Sequence, residues 1–231
     1  MIELLKTKKA IFFDVGYTLD YPASGDWMFT NKFYELAGEE YYKHSEAEIK
    51  NARNRSFEYL KNNHLVMNVE EEYNQFTYFY REISRYLNLG LVEIEIKEIA
   101  HDRTFNMKNY VSYPNVAEIL ETLSKTHKLG VISDTWPSIE HQLQSLGILN
   151  YFSVSTYSCF VGTFKPDKRM YLDALKKMGF SAEDTVFIDD SLQNLKSAAD
   201  LGITPILIAS NPVSDIEVPF LKIHSLKELL K

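Results

Sequence analysis

Five polar side chains stand at or just after the ends of short apolar segments, where they could act together. They are Asp14, Ser133, Lys165, Asp189 and Asp190. Parallel strands place their carboxyl ends at one edge of a sheet, so these side chains are expected to meet in one crevice. Neighbouring carboxylates repel each other unless a cation lies between them, and hard oxygen ligands suit Mg²⁺. The pattern therefore predicts a magnesium site that includes Asp14, Asp189 and Asp190.

The same side chains could carry out phosphoryl transfer. Asp14 would be the carboxylate nucleophile that attacks phosphorus, while Lys165 and the Ser133 hydroxyl hold the other phosphoryl oxygens. Water would then hydrolyse the acyl phosphate formed on Asp14. The competing interpretation is that Asp14 is only a solvated turn residue. The polar groups at the other predicted strand ends favour the catalytic role.

Alternating strands and helices must position these side chains. Residues 10–13, between a basic pair and a turn, have the uninterrupted apolar pattern of a buried parallel strand. From residue 113 onward strand-like and helix-like segments alternate, which predicts an α/β fold with a doubly wound, Rossmann-like parallel sheet. The other predicted strands are 128–133, 152–156, 185–189 and 205–208; the predicted helices begin at 114, 138, 169, 193 and 226.

Two helix ends carry local signals. Ser133, Asp134 and Thr135 precede Pro137, so a helix is expected to begin there with one of these three side chains as its cap. Gly179 is expected to close the helix that begins at residue 169.

Residues 24–107 contain little Gly or Pro and have apolar residues at helical spacing. Within 69–88 the apolar side chains step by three or four, which predicts a helix with one buried face. Residues 92–99 fit both a strand and a helix, and their neighbours favour the helix. The predicted organisation is a core formed by 1–19 and 110–231, with an all-helical cap at 20–109 inserted after the first strand.

Composition limits the class of protein. The 231 residues are 45% hydrophobic and 13% aromatic, enough to fill a core, and the net charge of -7 disfavours nucleic acid and anionic membranes as partners. Cys159 is the single cysteine, which excludes an intramolecular disulfide and favours a reducing compartment. No signal peptide or membrane span is visible. A soluble, cytoplasmic protein is expected, as a monomer or a homodimer.

Four segments together resemble the haloacid dehalogenase-like hydrolase superfamily, in particular its subfamily I with a helical C1-type cap. They are FFDVGYTL, VISDT, VGTFKPDKRMYLDALKKMG and VFIDDSLQNLKSAADLG, in the order and spacing of the family's four motifs. The resemblance covers nearly all of the chain outside the insert. It implies a Mg²⁺-dependent phosphatase that acts on a small phosphorylated metabolite through an aspartyl-phosphate intermediate.

The resemblance also implies roles for individual residues. Asp14 would be nucleophile and metal ligand, Gly16 would offer its backbone carbonyl to the metal, and Asp190 would be the main ligand from the fourth motif. Asp189 corresponds to an additional acid found there in some members, which acts directly or through water. Asn194 would brace this motif.

Four residues are implied as phosphate contacts, and the cap would close over them and select the leaving group. Ser133 would bind phosphate through its hydroxyl, and Lys165 would pair with both phosphate and nucleophile. Asp134 and Thr18 complete the expected phosphate site.

Gly16 departs from the family's phosphatase pattern, DxDxT, in which the second Asp is the general acid/base. Such a group typically supplies ~10²- to 10⁴-fold in rate, so its absence changes what the protein can do. The favoured interpretation is a phosphatase whose substrates have good leaving groups, or whose acid comes from elsewhere. Asp20 and Tyr17 are the nearest substitutes.

Three alternatives remain open. A phosphonatase-like C–P hydrolase would have a small residue at position 16 and a cap lysine, for which Lys43, Lys50 and Lys61 are available. A dehalogenase works without metal, and the paired acids in the fourth motif argue against it. The last alternative is a weak or inactive module that binds a metal or a phosphoryl ligand.

Overall fold

The computed structural model describes residues 2–209 and 219–231, which contain eight strands. Six form a parallel sheet and two form an antiparallel ribbon. The strands are β1 (Ala10–Phe13), β2 (Asp20–Pro22), β3 (Tyr110–Ser112), β4 (Lys128–Ser133), β5 (Phe152–Tyr157), β6 (Thr185–Asp189), β7 (Thr204–Ile208) and β8 (Leu221–Ile223). The sheet order is β5-β4-β1-β6-β7-β8, and β2 pairs with β3. This arrangement, with its flanking helices, confirms the predicted α/β fold.

The central strand β1 explains why its sequence is apolar without interruption. All four of its side chains are buried. Ile11 and Phe13 pack into the apolar cluster on one face of the sheet, whereas Ala10 and Phe12 pack into the cluster on the other. Because successive strand residues face opposite sides, a sheet covered on both faces needs an apolar residue at every position.

Four long helices lie between the two strands of the ribbon: α1 (Asn31–Tyr42), α2 (Glu46–Asn62), α3 (Val69–Tyr86) and α4 (Glu93–Phe105). Two of them begin with ordinary caps, since Ser45 forms a capping box with Glu48 at the start of α2 and the Asn68 side chain accepts from backbone N–H groups in the first turn of α3. The ambiguous segment 92–99 is helical, as its neighbours indicated. These helices occupy the region predicted as the cap, and 20–109 remains the proposed extent of that cap.

Five shorter helices accompany the sheet strands: α5 (Val116–Ser124), α6 (Ile139–Ser145), α7 (Ser158–Val161), α8 (Lys168–Met178) and α9 (Leu192–Ala199). Gly179 ends α8 in the left-handed conformation with φ +75°, as predicted. Residues 226–230 form a 3-10 helix. In the described part of the chain, no helix has both the length and the apolar character needed to cross a membrane.

The prediction that Ser133, Asp134 or Thr135 caps the N-terminus of α6 is wrong. The helix begins after Ser138, and neither Ser138 nor any of the three predicted residues caps it with a side chain. The Asp134 carboxylate instead accepts a hydrogen bond from the Lys165 backbone N–H at 2.8 Å. The segment that precedes Pro137 is therefore a loop at the sheet edge, held by contacts with another loop. Strands β2, β3 and β8 and helix α7 were not predicted, because three or four residues carry too little periodicity, and β2 lies within the segment 20–109 that was predicted to be all-helical.

Candidate functional site

The candidate site is formed where three neighbouring strands end. Asp14 follows β1, Ser133 is the last residue of β4 and Asp189 is the last residue of β6. Since β1 lies between β4 and β6 with all three strands parallel, these residues stand side by side at the carboxyl edge. The backbone N–H of Asp14 continues the β1–β6 pairing by donating to the Ile188 carbonyl at 2.9 Å.

Lys165 enters this edge from the loop before α8, and its side chain is 1% exposed. Its Nζ lies 2.7 Å from Asp14 Oδ1 and 2.8 Å from Asp189 Oδ2. It also donates to the Ile132 carbonyl at 3.2 Å. Burial alone would lower the pKa of Lys165, but the neighbouring carboxylates outweigh it and raise the pKa, so the amine stays charged. The predicted pairing of Lys165 with Asp14 is therefore present in the fold.

Oxygens of three carboxylates, those of Asp14, Asp189 and Asp190, lie within 4.8 Å of one another. Burial raises the pKa of Asp14, and the charges of Asp189 and Asp190 add to this effect while Lys165 opposes it. One ammonium group does not offset three clustered carboxylates. The donor set is all oxygen, which fits a hard divalent cation such as Mg²⁺.

Asp189 and Asp190 differ in what surrounds them. Asp189 is fully buried and its two oxygens are occupied by the protein. Besides Lys165, it accepts from the Ser191 backbone N–H at 2.7 Å and from Asn194 Nδ2 at 3.2 and 3.1 Å. Asp190 is solvent-accessible at the same edge. This arrangement favours Asp190 over Asp189 as a direct metal ligand, and Asn194 occupies the bracing position expected for it.

A cavity of about 210 Å³ opens beside these groups. Of the predicted site residues it is lined by Asp14, Gly16, Tyr17, Ser133, Asp134, Lys165, Asp190 and Asn194. The Ser133 hydroxyl, 3% exposed as a residue, makes no hydrogen bond within the described chain, so it is available to a ligand. The Asp134 carboxylate holds the Lys165 backbone, and a carboxylate repels phosphate. Only the backbone of Asp134 could therefore serve the predicted phosphate contact.

Thr18 is the predicted phosphate contact that the structure does not bring to the cavity. It is completely buried in the turn after Asp14, where its backbone N–H donates to the Val15 carbonyl at 3.1 Å. Its hydroxyl has no hydrogen-bond partner among the described residues. The turn directs Thr18 into the protein rather than towards a ligand.

The family model described as haloacid dehalogenase-like hydrolase matches residues 21–208. The chain belongs to this family.

Named relatives of this haloacid dehalogenase-like protein include phosphatases. It is 32% identical over 124 residues to the glyceraldehyde 3-phosphate phosphatase of Methanocaldococcus jannaschii. This match covers 51% of this chain and 54% of that protein. It is 27% identical over 75 residues to the 6-phosphogluconate phosphatase of Escherichia coli, covering 32% and 34% respectively. These matches span about half or less of the relatives' lengths.

Solved structures of the family share the fold. The HAD phosphatase from Thermococcus onnurineus has a TM-score of 0.61 at 23% identity, covering 96% of this chain and 95% of that one. The L-2-haloacid dehalogenase from Xanthobacter autotrophicus has a TM-score of 0.64 at 17% identity, covering 96% of both. At these identities the likeness concerns the fold and leaves the reaction open.

Trp27 packs against Gly16, the position at which this chain departs from the family's phosphatase pattern. A Cβ placed on Gly16 would lie 2.9 Å from Trp27 Cζ2, closer than such contacts allow. The indole packs edge-on against Tyr17, with ring centroids 5.3 Å apart, and faces Tyr110 at 6.3 Å. Trp27 therefore occupies the space into which an acidic side chain at position 16 would project.

Trp27 is held by the loop before α1. Asp26 Oδ1 accepts from the backbone N–H groups of Met28 at 2.8 Å and Phe29 at 3.0 Å. The other Asp26 oxygen is ion-paired with Arg53 of α2. These bonds attach the loop to the helical insert, so the position of Trp27 depends on residues distant in sequence from Gly16.

The two proposed substitute acids differ in access. Asp20 is completely buried and does not line the cavity; Gln142, which does, donates to its Oδ2 at 2.5 Å. Burial raises the pKa of Asp20 to about 7. Tyr17 lines the cavity directly, with an unusual φ of +56°. Of these two groups, only Tyr17 is placed to contact a ligand without rearrangement.

The lysines considered for a phosphonatase-like reaction do not reach the cavity. Lys43, Lys50 and Lys61 are all exposed on the insert helices, and Lys43 is paired with Glu40. Lys165 is the lysine that lines the cavity in the described chain. The geometry thus offers no support for a cap lysine as a Schiff-base residue.

Sequence reasoning missed the cavity residues supplied by the insert and its ribbon. These are Trp27, Met28, Arg103 and Tyr110, together with Gln142 from α6. None of them belongs to a motif, and helical spacing alone does not tell which side of an insert helix faces a site rather than a core.

Proposed function

We propose that this protein is a Mg²⁺-dependent phosphatase that acts on a small phosphorylated metabolite through an aspartyl-phosphate at Asp14. The observation that carries the proposal is the contact of 2.7 Å between Asp14 and a buried Lys165 amine, in a cavity that also contains Asp190 and an unpaired Ser133 hydroxyl. Phosphatase names among the partial relatives support the same reaction class.

In the proposed reaction Asp14 attacks phosphorus while Lys165 stabilises the negative charge on the nucleophile and the phosphoryl oxygens. Ser133 donates a hydrogen bond to another phosphoryl oxygen. Mg²⁺, held by the carboxylates of Asp14 and Asp190 and by the Gly16 carbonyl, would neutralise charge between nucleophile and phosphate. Asn194 fixes Asp189, which in turn positions the Lys165 amine.

Gly16 and Trp27 restrict the substrates of this reaction. With no carboxyl group at position 16, the leaving group must depart as an anion or receive its proton from another group such as Tyr17 or water. The cavity of 210 Å³ is smaller than the roughly 300–1,000 Å³ typical of sites for drug-sized ligands. We therefore infer small phosphate esters or anhydrides with good leaving groups as substrates.

The test is phosphate release from p-nitrophenyl phosphate, acetyl phosphate and a panel of small phosphometabolites with Mg²⁺. Asp14→Asn should abolish release. Wild type that is quenched with acid during turnover of a radioactive phosphoryl donor should retain the label, whereas Asp14→Asn should not. The exposed Asp200→Asn is the matched control and should behave as wild type.

Two results would overturn the proposal. One is that no substrate of the panel releases phosphate, in which case binding of phosphate or metal without turnover points to the ligand-binding module. The other is full activity in Asp14→Asn.

A further inference from the structure

A buried arginine lines the cavity on the side of the helical insert. Arg103 lies in the last turn of α4 and is 7% exposed. Of the side chains that line the cavity in the described chain, only Arg103 and Lys165 are cationic. Lys165 is already engaged by Asp14 and Asp189, so Arg103 is the cation with capacity for a further partner.

The protein holds Arg103 firmly but uses few of its donors. Nη1 donates to the Tyr110 hydroxyl at 2.7 Å and lies 3.6 Å from Glu72 Oε1. The guanidinium also lies over the Phe76 ring, 4.4 Å from its centroid. These contacts fix the orientation of the side chain.

Most of the guanidinium donors lack partners. Nε is buried without a hydrogen bond, and in the described chain only Nη1 makes one. Glu72 does not satisfy the others: its Oε1 lies 3.6 Å from Nη1, beyond hydrogen-bond distance, and its two oxygens accept from the Ser138 hydroxyl and backbone N–H, each at 2.7 Å. A guanidinium has five N–H donors in a planar fork, and leaving them unsatisfied in a buried position is costly. Because Arg103 lines the cavity and its Nη2 has no partner in the described chain, the deficit at the terminal nitrogens points to a ligand.

We propose that Arg103 is a specificity-determining residue that binds a carboxylate on the leaving-group part of the substrate. The proposal rests on the proposed phosphatase function and names its substrate class: short phosphorylated carboxylic acids. The guanidinium fork matches a carboxylate with two parallel hydrogen bonds. The small cavity favours a carboxylate over a second phosphate as the group opposite the reacting phosphoryl.

Binding can be measured without turnover, because both tryptophans of the chain, Trp27 and Trp136, line the cavity. Their fluorescence should respond to a ligand. The matched probes are phosphonoacetate and 2-hydroxyethylphosphonate, which lack a hydrolysable ester and differ in the carboxylate. With Mg²⁺ present, wild type is expected to bind phosphonoacetate roughly 10- to 100-fold more tightly, as for a charge-assisted hydrogen-bonded pair.

Variants test whether Arg103 causes the preference for phosphonoacetate. Removing Arg103 alone would leave Glu72 buried without its cation, so Arg103→Met is combined with Glu72→Gln, and Glu72→Gln alone is the background control. The preference should fall to about 1- to 2-fold in the double variant and persist in the control. Arg103→Lys, which keeps the charge beside Glu72, should lose several-fold because it lacks the fork. The exposed Arg81→Met should match wild type.

Equal binding of both probes by wild type, or a preference that survives in both Arg103 variants, would overturn the inference. Kinetics with phosphoenolpyruvate and vinyl phosphate, which differ in the carboxylate and release enolates rather than alkoxides, then separate it from the proposed function. Phosphate release without a preference refutes the role of Arg103 alone. Selective binding without release from any phosphate ester refutes the phosphatase and leaves the carboxylate site standing.

Discussion

At the residue scale, Gly16 and Trp27 form a sterically linked pair. The sequence shows only that position 16 lacks a carboxyl group. The structure shows that the Trp27 indole fills the space that a side chain at position 16 would occupy. Restoring an acid at position 16 is therefore a packing problem as well as a chemical one. Gly16→Asp alone therefore tests the packing problem, and a second substitution at Trp27 is needed to test the chemistry.

Gly16→Asp alone is expected to lower the free energy of unfolding by about 1–3 kcal/mol, the usual cost of overpacking, and to give no gain in rate. Gly16→Asp with Trp27→Ala should relieve the clash and increase hydrolysis of alkyl phosphates, whose leaving groups need a proton, by about 10-fold or more. Thermal unfolding and phosphate release measure the two effects. Trp27→Ala alone is the control, and a stable, more active Gly16→Asp single variant would contradict the steric link.

Replacing Lys165 is expected to reduce both the stability and the activity of the protein. Lys165→Met leaves Asp14 and Asp189 clustered without their cation, so stability should fall by about 3–5 kcal/mol and activity by at least ~10²-fold. Denaturant unfolding and phosphate release provide the measurements. Lys168→Met, an exposed change three residues away, should alter neither; a comparable loss there would indicate a nonspecific effect on the loop.

At the scale of elements, the connection between α2 and α3 is fastened to α7 and to the loop after β4. His64 Nε2 lies 2.7 Å from the Ser158 hydroxyl, which also accepts from the Thr135 backbone N–H at 2.7 Å. The imidazole stacks on Phe164 with ring centroids 3.7 Å apart. This contact links the helical insert to the loop that follows Ser133, so its strength affects the site.

The contact should weaken in acid. Burial lowers the pKa of His64 to about 4, below the value of about 6.5 expected in the unfolded chain. The neutral ring therefore contributes stability that is complete above about pH 6.5 and is lost as the pH falls towards 4, by roughly 3 kcal/mol in total. Charged side chains are not among the contacts described for the ring, which are Ser158, Trp136 and Phe164.

Unfolding free energies of wild type and His64→Gln, compared between pH 4 and pH 8, measure this contribution. The difference between them should be largest above pH 6.5 and shrink in acid. The exposed His224→Gln should show the pH dependence of wild type. A difference between wild type and His64→Gln that does not change with pH would rule out a neutral, buried His64.

At the scale of the whole molecule, metal binding is expected to couple the carboxylate cluster to global stability. Mg²⁺ at about 100 times its dissociation constant adds about 2.7 kcal/mol if it binds only the folded chain. For a protein of 231 residues this corresponds to a rise in Tm of roughly 5–10 °C. Chelation by EDTA should reverse the rise.

Asp190→Asn should remove most of the Mg²⁺ response, because Asp190 is the accessible carboxylate of the cluster, whereas Asp200→Asn should retain it. Differential scanning calorimetry with and without Mg²⁺ makes the comparison. A full response in Asp190→Asn would place the metal elsewhere.

The sequence by itself determined that the core is a parallel α/β sheet and which polar residues follow its main strands, but not the order of the strands. The apolar segments 10–13 and 186–188 have the pattern of strands buried on both faces, and helices between successive strands indicate parallel pairing. Parallel pairing places Asp14, Ser133 and Asp189 at one edge, and the position of β1 between β4 and β6 makes them neighbours. That is why local pattern and topology were sufficient for this part of the site.

Only the tertiary structure decided the opposite wall of the cavity. Trp27 against Gly16, Arg103 beside Glu72, and Asp20 beneath Gln142 are contacts between elements with no fixed spacing in the chain. Their geometry depends on how the helical insert packs over the sheet edge, which amphipathic periodicity does not specify. The motif residues define the chemistry available at Asp14, and this packing sets the space and charge that a substrate meets.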